Sequence, residues 1–212
     1  MGRQIRLPGS LVDQGTIILR RAGLKVLACN VRGFPGHSRV PAGVYFTHMP
    51  SPCPGRYSTF IEGPFVVFVI GLRINRLFAI GKWLPVAKAM GPMLRELYAN
   101  PYLGLLAAHS SVYWRGVMVT QYWRSFDQLV AYAQSRDSAH LPAWKAFNQS
   151  VGSDGTVGIW HETYQVAEGQ YECIYANMPR FGLAVAGTHE PATGHLRDAR
   201  SRMQPPPPAP HP

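Results

Sequence analysis

The clearest pattern along the chain is the run FVVFVIGLRI over residues 65–74, rich in β-branched and aromatic side chains. It is too short for a buried helix and predicts a central strand covered on both faces. From residue 83 to 100, Val86, Met90, Met93, Leu94 and Leu97 recur at three- and four-residue spacing with Lys88, Arg95 and Glu96 between them, and Pro101 follows. That spacing predicts an amphipathic helix with a stop after it. Residues 103–111 and 116–123 are strand-like. In the second of these, Val117, Val119, Gln121 and Trp123 alternate with Met118, Thr120 and Tyr122, and Tyr113-Trp114-Arg115-Gly116 is the expected hairpin connection.

Ser125, with Gln128 three residues on, forms a capping box that opens a second helix with Phe126, Leu129, Val130 and Ala133 on its inner face. The helix restarts around Pro142, which is tolerated only near a first turn, and runs to Asn148. Gly152-Ser-Asp-Gly155 predicts a turn, residues 156–166 a long strand, and residues 171–177 an appended one. The order β-α-β-β-α-β is the split βαβ, ferredoxin-like α+β plan: an antiparallel sheet with both helices on one face. The other face is then bare and apolar, which predicts sheet-to-sheet pairing in a homodimer.

Charge and composition divide the 212 residues into three segments. The formal net charge is +10, but residues 1–60 carry +7, residues 61–190 only +1 and residues 191–212 +2. Thirteen of the 19 prolines lie in the two end segments and all five tryptophans in the middle. The expected organisation is a disordered or spurious basic leader over 1–54, a folded domain over 55–190 and a disordered proline-rich tail over 191–212. Translation starting near Met49 would account for the leader. A near-neutral fold offers no basic stripe for phosphates, so no nucleic-acid partner is expected. The longest apolar run is eight residues, far short of the roughly 20 of a membrane span, so no membrane partner is expected either. Three cysteines outside any zinc spacing predict a reduced, cytoplasmic protein.

Candidate chemistry lies on the second helix and the last strand. His140, Trp144 and Asn148 are spaced i, i+4, i+8, a stripe about 12 Å long if the helix is continuous. Facing the sheet, such a stripe offers a base, a stacking surface and an oxyanion donor; core packing with a capping Asn is the simpler account. On the last strand, alternation puts Ile159, His161 and Thr163 on one face and Trp160, Glu162 and Tyr164 on the other. A carboxylate there is costly to bury unless paired or functional. Arg73 and Asn75 share a face at the end of the first strand; Arg73 either pairs with Glu162 or anchors a substrate anion. The signatures GxGxxG, GxxxxGK[ST], GxSxG and HExxH are absent.

Seven ordered segments, Gly55-Arg56-Tyr57, VVFVIGLRINR (66–76), KWLPVAKAMGPML (82–94), QYWRSF (121–126), HLPAWKAFN (140–148), GIWHETY (158–164) and YANMPRFGLA (175–184), resemble a small bacterial and fungal family of monooxygenase-like proteins that includes an enzyme of fumagillin biosynthesis. The resemblance implies the dimeric α+β barrel fold shared with antibiotic-biosynthesis monooxygenases. It further implies secondary metabolism and oxidation of a hydrophobic, aromatic or terpenoid substrate by O2 with no cofactor. On this chain it would make Trp144 and Asn148 hold substrate and oxyanion and His140 or His161 take the proton. Arg73, Asn75, Trp144, Glu162 and Tyr164 become the candidate substrate contacts. The same superfamily leaves two alternatives: a haem enzyme of the aldoxime dehydratase or haem-degrading kind, with His140 or His161 as axial ligand, and a non-catalytic small-molecule-binding dimer.

Overall fold

The computed structural model describes residues 51–135 and 140–204; within the helix that begins at His140, the side chains of residues 140, 141, 143 and 150 are outside that description. Residues 1–50 of the expected leader and the terminal proline run lie outside the described residues; within 51–54, Cys53 is buried and donates its N–H to the Met178 carbonyl at 3.0 Å.

The apolar run forms β2 (Phe65–Ile74), after a short β1 (Arg56–Phe60). It is followed by α1 (Ile80–Ala99), β3 (Leu105–Tyr113), β4 (Gly116–Trp123), α2 (Phe126–Gln134), α3 (His140–Ser150) and β5 (Val157–Val166). β2 to β5 make one antiparallel sheet in the order β3-β4-β2-β5, the ferredoxin-like order, with β2 hydrogen-bonded on both sides. The expected second helix is two helices. Ser125 caps α2 by accepting from the Gln128 N–H at 3.2 Å, and α3 restarts with Pro142 in its first turn, where a missing N–H costs nothing. Gly152 at φ +51° ends α3 in the left-handed conformation that glycine adopts without strain.

Alternation along β2 decides what each face buries. Val66, Phe68 and Leu72 face the helices. At one end Val66 packs with Leu97, Leu105, Trp123, Leu129 and Tyr132; at the other Leu72 packs with Val151, Val157, Trp83 and Phe147. Phe65 and Val67 face the opposite way, and there the expectation of a bare face is corrected. A second sheet in the order β6-β1-β7, made by β1, β6 (Tyr175–Ala176) and β7 (Thr188–Pro191), lies with α4 (Leu183–Ala186) on that side. Ile61, Leu183, Ala186, Tyr171 and Cys173 pack against Phe65, Val67, Tyr122 and Val166. The appended strand predicted at 171–177 is only two residues long and belongs to this second sheet.

Ordered elements also continue past residue 191, in the segment expected to be tail. A 3₁₀ turn (Gly194–Arg197) leads to α5 (Ala199–Arg202), and Ala192 is buried. The cause is an ion pair: Arg202, its side chain only 5% exposed, donates to Glu172 and to the carbonyls of Leu196 and Arg197. Cys53 is buried, and Cys173 is a free, half-buried cysteine among the described residues.

Candidate functional site

Between its two end clusters, the helix-facing layer of the large sheet is only partly covered. Phe68 and Ile70 lie on a strand with neighbours on both sides, yet both are only half-buried. Across the sheet, Phe68 lies level with Gln121 on β4 and Thr163 on β5, and Ile70 with Val119 and His161. The result is an apolar strip flanked by Gln121 on β4 and His161 on β5, two strands apart and offset by two residues, about 12 Å on the diagonal. His161 is exposed on edge strand β5, its ring 5.5 Å from that of Phe68 and tilted by 42°. Gln121 is 4% exposed. The indole N–H of Trp123 donates to its Oε1 at 2.8 Å, which fixes the amide so that Nε2 points to the Met90 sulfur on α1, 3.8 Å away. A thioether is a weak acceptor, so this buried amide keeps donor capacity for a stronger one.

The remaining residues expected at the site are dispersed. α3 does carry the i, i+4, i+8 spacing, but Trp144 is 46% exposed and Asn148 is exposed, while Phe147 and Val151 pack toward the sheet. Trp144 stacks on Phe147 at 5.5 Å. Phe147 of α3 and Val151 just after it therefore take the sheet side, and Trp144 and Asn148 do not line a pocket beneath the helix; the His140 side chain is outside the described residues.

The Arg73–Glu162 ion pair does not form. In register, Arg73 lies opposite Gly158 and Glu162 opposite Val69, four residues or about 13 Å apart along the strands. Glu162 instead accepts the hydroxyl of Tyr164 at 2.6 Å, an exposed contact that raises the Tyr164 pKa. Arg73 bonds the side-chain oxygen of Asn75 and stacks its guanidinium 4.2 Å from the Trp114 ring, leaving a buried Nε without a partner. Beside it on the same face, Trp160 lies flat over Gly71 and donates its indole N–H to Tyr113 at 2.5 Å.

Where the second sheet and α4 meet the large one, His109 of β3 accepts the Gly182 N–H on Nε2 at 2.5 Å and packs its ring 4.1 Å from that of Phe181, tilted by 31°. Burial lowers its pKa, consistent with a neutral ring that accepts through Nε2. The Tyr175 hydroxyl accepts the Ala184 N–H, so α4 is capped by side chains from other elements. His189 bonds Thr59 through Nδ1 at 3.0 Å and stacks on Tyr57; burial first, then Arg180, lowers its pKa. Among the described residues no group of three or more His, Cys, Asp or Glu is placed to hold a metal ion. The two cavities described, about 370 Å³ beside Glu96 and Tyr132 and about 110 Å³ beside Arg202, do not include His161.

The segment from β2 to the start of α4, residues 65–183, matches the model of the monooxygenase af470-like family. The chain belongs to that family. The af470-like region contains Phe68, Gln121, His161, His109 and Gly182, but neither β1 nor β7. A curated relative, monooxygenase af470 of Aspergillus fumigatus, is 27% identical over 129 residues, which are 55% of this chain. The chain spans 44% of that relative's length. Among solved structures, a protein from Caulobacter crescentus provisionally assigned as an antibiotic biosynthesis monooxygenase is 15% identical, with a TM-score of 0.38 over 51% of this chain and 94% of that one. A Bacteroides thetaiotaomicron protein of unknown function, described as a possible oxidoreductase, is 12% identical, with a TM-score of 0.34 over 48% of this chain and 96% of that one.

Proposed function

We propose that this af470-like protein is a monooxygenase that oxidises a hydrophobic, aromatic or terpenoid small molecule with O2, using neither metal nor flavin. The observation that carries the reading is the half-buried Phe68–Ile70 strip, flanked by a base on one side and a fixed amide donor on the other. An apolar, planar substrate would lie along the strip. His161 would remove a proton from an acidified C–H, and the Gln121 Nε2–H would stabilise the enolate or phenolate oxygen that develops. The carbanion gives one electron to O2, and the radical pair combines into a C–O bond. Loss of the second C–H proton with cleavage of the O–O bond then leaves a carbonyl and one water. The balance is CH2 + O2 → C=O + H2O, so the substrate supplies every electron and no external reductant is needed.

In this reading Trp144, Asn148, Glu162 and Tyr164 lie outside the reacting layer, and Arg73 with Asn75 does not reach it. The uncovered half of the opposite sheet face, with Val69, Met118 and Trp160 half-buried, supports homodimer pairing restricted to that half. The experiment that separates this reading from a haem enzyme is spectroscopic. Titration with haem should produce no protein-dependent Soret shift, and a shift abolished by His161→Ala would overturn the reading.

A further inference from the structure

One end of the large sheet presents apolar side chains to solvent in two tight turns. In the β2–α1 connection the Ala79 N–H donates to the Arg76 carbonyl at 3.1 Å, and the Trp83 indole N–H donates to the Leu77 carbonyl at 2.9 Å. These bonds hold Leu77 and Phe78 at the apex, where Phe78 is 99% exposed and Leu77 and, just after it, Ile80 are each 53% exposed. In the β3–β4 hairpin Val112 is 87% and Trp114 73% exposed. The two turns are tied together: the Ile74 N–H donates to the Arg115 carbonyl at 2.8 Å, and the Arg115 guanidinium donates to the Asn75 carbonyl at 3.0 Å. The α3–β5 loop joins them, since the Thr156 carbonyl accepts from both the Asn75 and Arg76 N–H groups.

The charge of this end is one-sided. Among the described residues, Arg73, Arg76, Lys82 and Arg115 lie in or beside these turns, against the one carboxylate of Asp154, which already pairs with Lys82. A near-neutral domain total of +1 conceals this local excess. Solvent-exposed Phe and Trp at turn apices, interleaved with arginines, are the chemistry of shallow insertion at a bilayer interface: the rings enter the headgroup region while the guanidiniums stay with lipid phosphates.

We infer that this end of the sheet is a peripheral docking surface for membranes rich in anionic lipid. Such docking needs no transmembrane run, which is why the eight-residue limit on apolar stretches does not bear on it. It also stands independently of the reaction assigned above.

The test is co-sedimentation of the full chain with phosphatidylcholine vesicles with and without phosphatidylserine. Binding is expected to the anionic vesicles, with a blue shift of tryptophan emission that Trp114→Asn removes; asparagine tolerates the left-handed backbone found there, φ +28°. Phe78→Ser, at a side chain with no packing to lose, should weaken partitioning at least tenfold. Arg76→Gln should weaken it about fivefold at low salt, equivalent to ~1 kcal/mol per cation at an anionic surface. Both variants leave the basic N-terminal segment intact, so vesicle binding that survives them at wild-type strength would overturn the inference. So would failure of the wild type to bind, or a change of oligomeric state in Phe78→Ser, which would make the patch a protein contact.

Discussion

The imidazole of His161 sits 5.5 Å from the ring of Phe68, one on an edge strand and the other on the central strand, both on the helix-facing side of the sheet. An imidazole on the rim of a half-buried apolar strip can take a proton from a substrate lying on that strip and pass it to water. His161→Ala should therefore lower kcat by about 10²–10⁴-fold while leaving the melting temperature unchanged, because the side chain is exposed. Steady-state kinetics and thermal unfolding of the same preparation check both halves.

Gln121 should behave oppositely with respect to stability. Gln121→Leu removes the acceptor of the buried Trp123 N–H and should cost about 1–3 kcal/mol as well as activity. Gln121→Glu keeps an acceptor for the indole but buries a carboxylate and removes the amide donor, so it should lose both stability and rate. Denaturant unfolding measured beside kcat reads the two losses.

His109 and His189 make the attachment of the second sheet and α4 sensitive to acid. Both rings have their pKa lowered by burial below the ordinary 6.5, so the unfolded chain binds more protons than the folded one in the window between the two values. Their contribution to stability is complete above 6.5 and is lost as the pH falls through the depressed values. Melting temperature should drop across that window. His109→Gln, with an amide oxygen to accept the Gly182 N–H and no titration, should flatten the drop, and an unchanged profile would contradict this assignment.

Gly71 should tolerate no side chain. A Cβ there would stand 2.7 Å from the Trp160 Nε1, so Gly71→Ala must lift the indole off the sheet and break its bond to Tyr113. The expected cost is about 1–3 kcal/mol, with loss of near-ultraviolet tryptophan signal.

Arg202 anchors the C-terminal turns through Glu172 and two carbonyls. Arg202→Ala should cost about 1–3 kcal/mol and open residues 192–204 to limited proteolysis. Cleavage in that segment no faster than in the wild type would show that the pair does not hold it.

Much of this architecture was legible in the sequence. The run Phe65–Ile74, the periodicity of Leu94 and Leu97, the Ser125 cap and the Gly152 turn are local signals, and local signals survive folding. β1 and β7 were not legible, and β6 was expected but drawn too long, because strands of two to five residues pair across more than 110 positions and carry no periodicity of their own. Arg73 and Glu162 failed as a pair because register between distant strands is not written in either strand. The i, i+4, i+8 stripe of Trp144 and Asn148 was real in spacing, but the competing stripe of Phe147 and Val151 is the more apolar and takes the sheet side. Gln121 carried a readable signal, a lone amide within the apolar set Val117, Val119 and Trp123.

The most direct test of the central claim is ¹⁸O2 labelling with a simple anthrone as probe, using purified protein stripped of metal by chelation and free of flavin and haem. One labelled oxygen per product, in the new carbonyl, is expected for the wild type and should be lost in His161→Ala. Incorporation only after haem or flavin is added, or an equal rate in His161→Ala, would contradict the account.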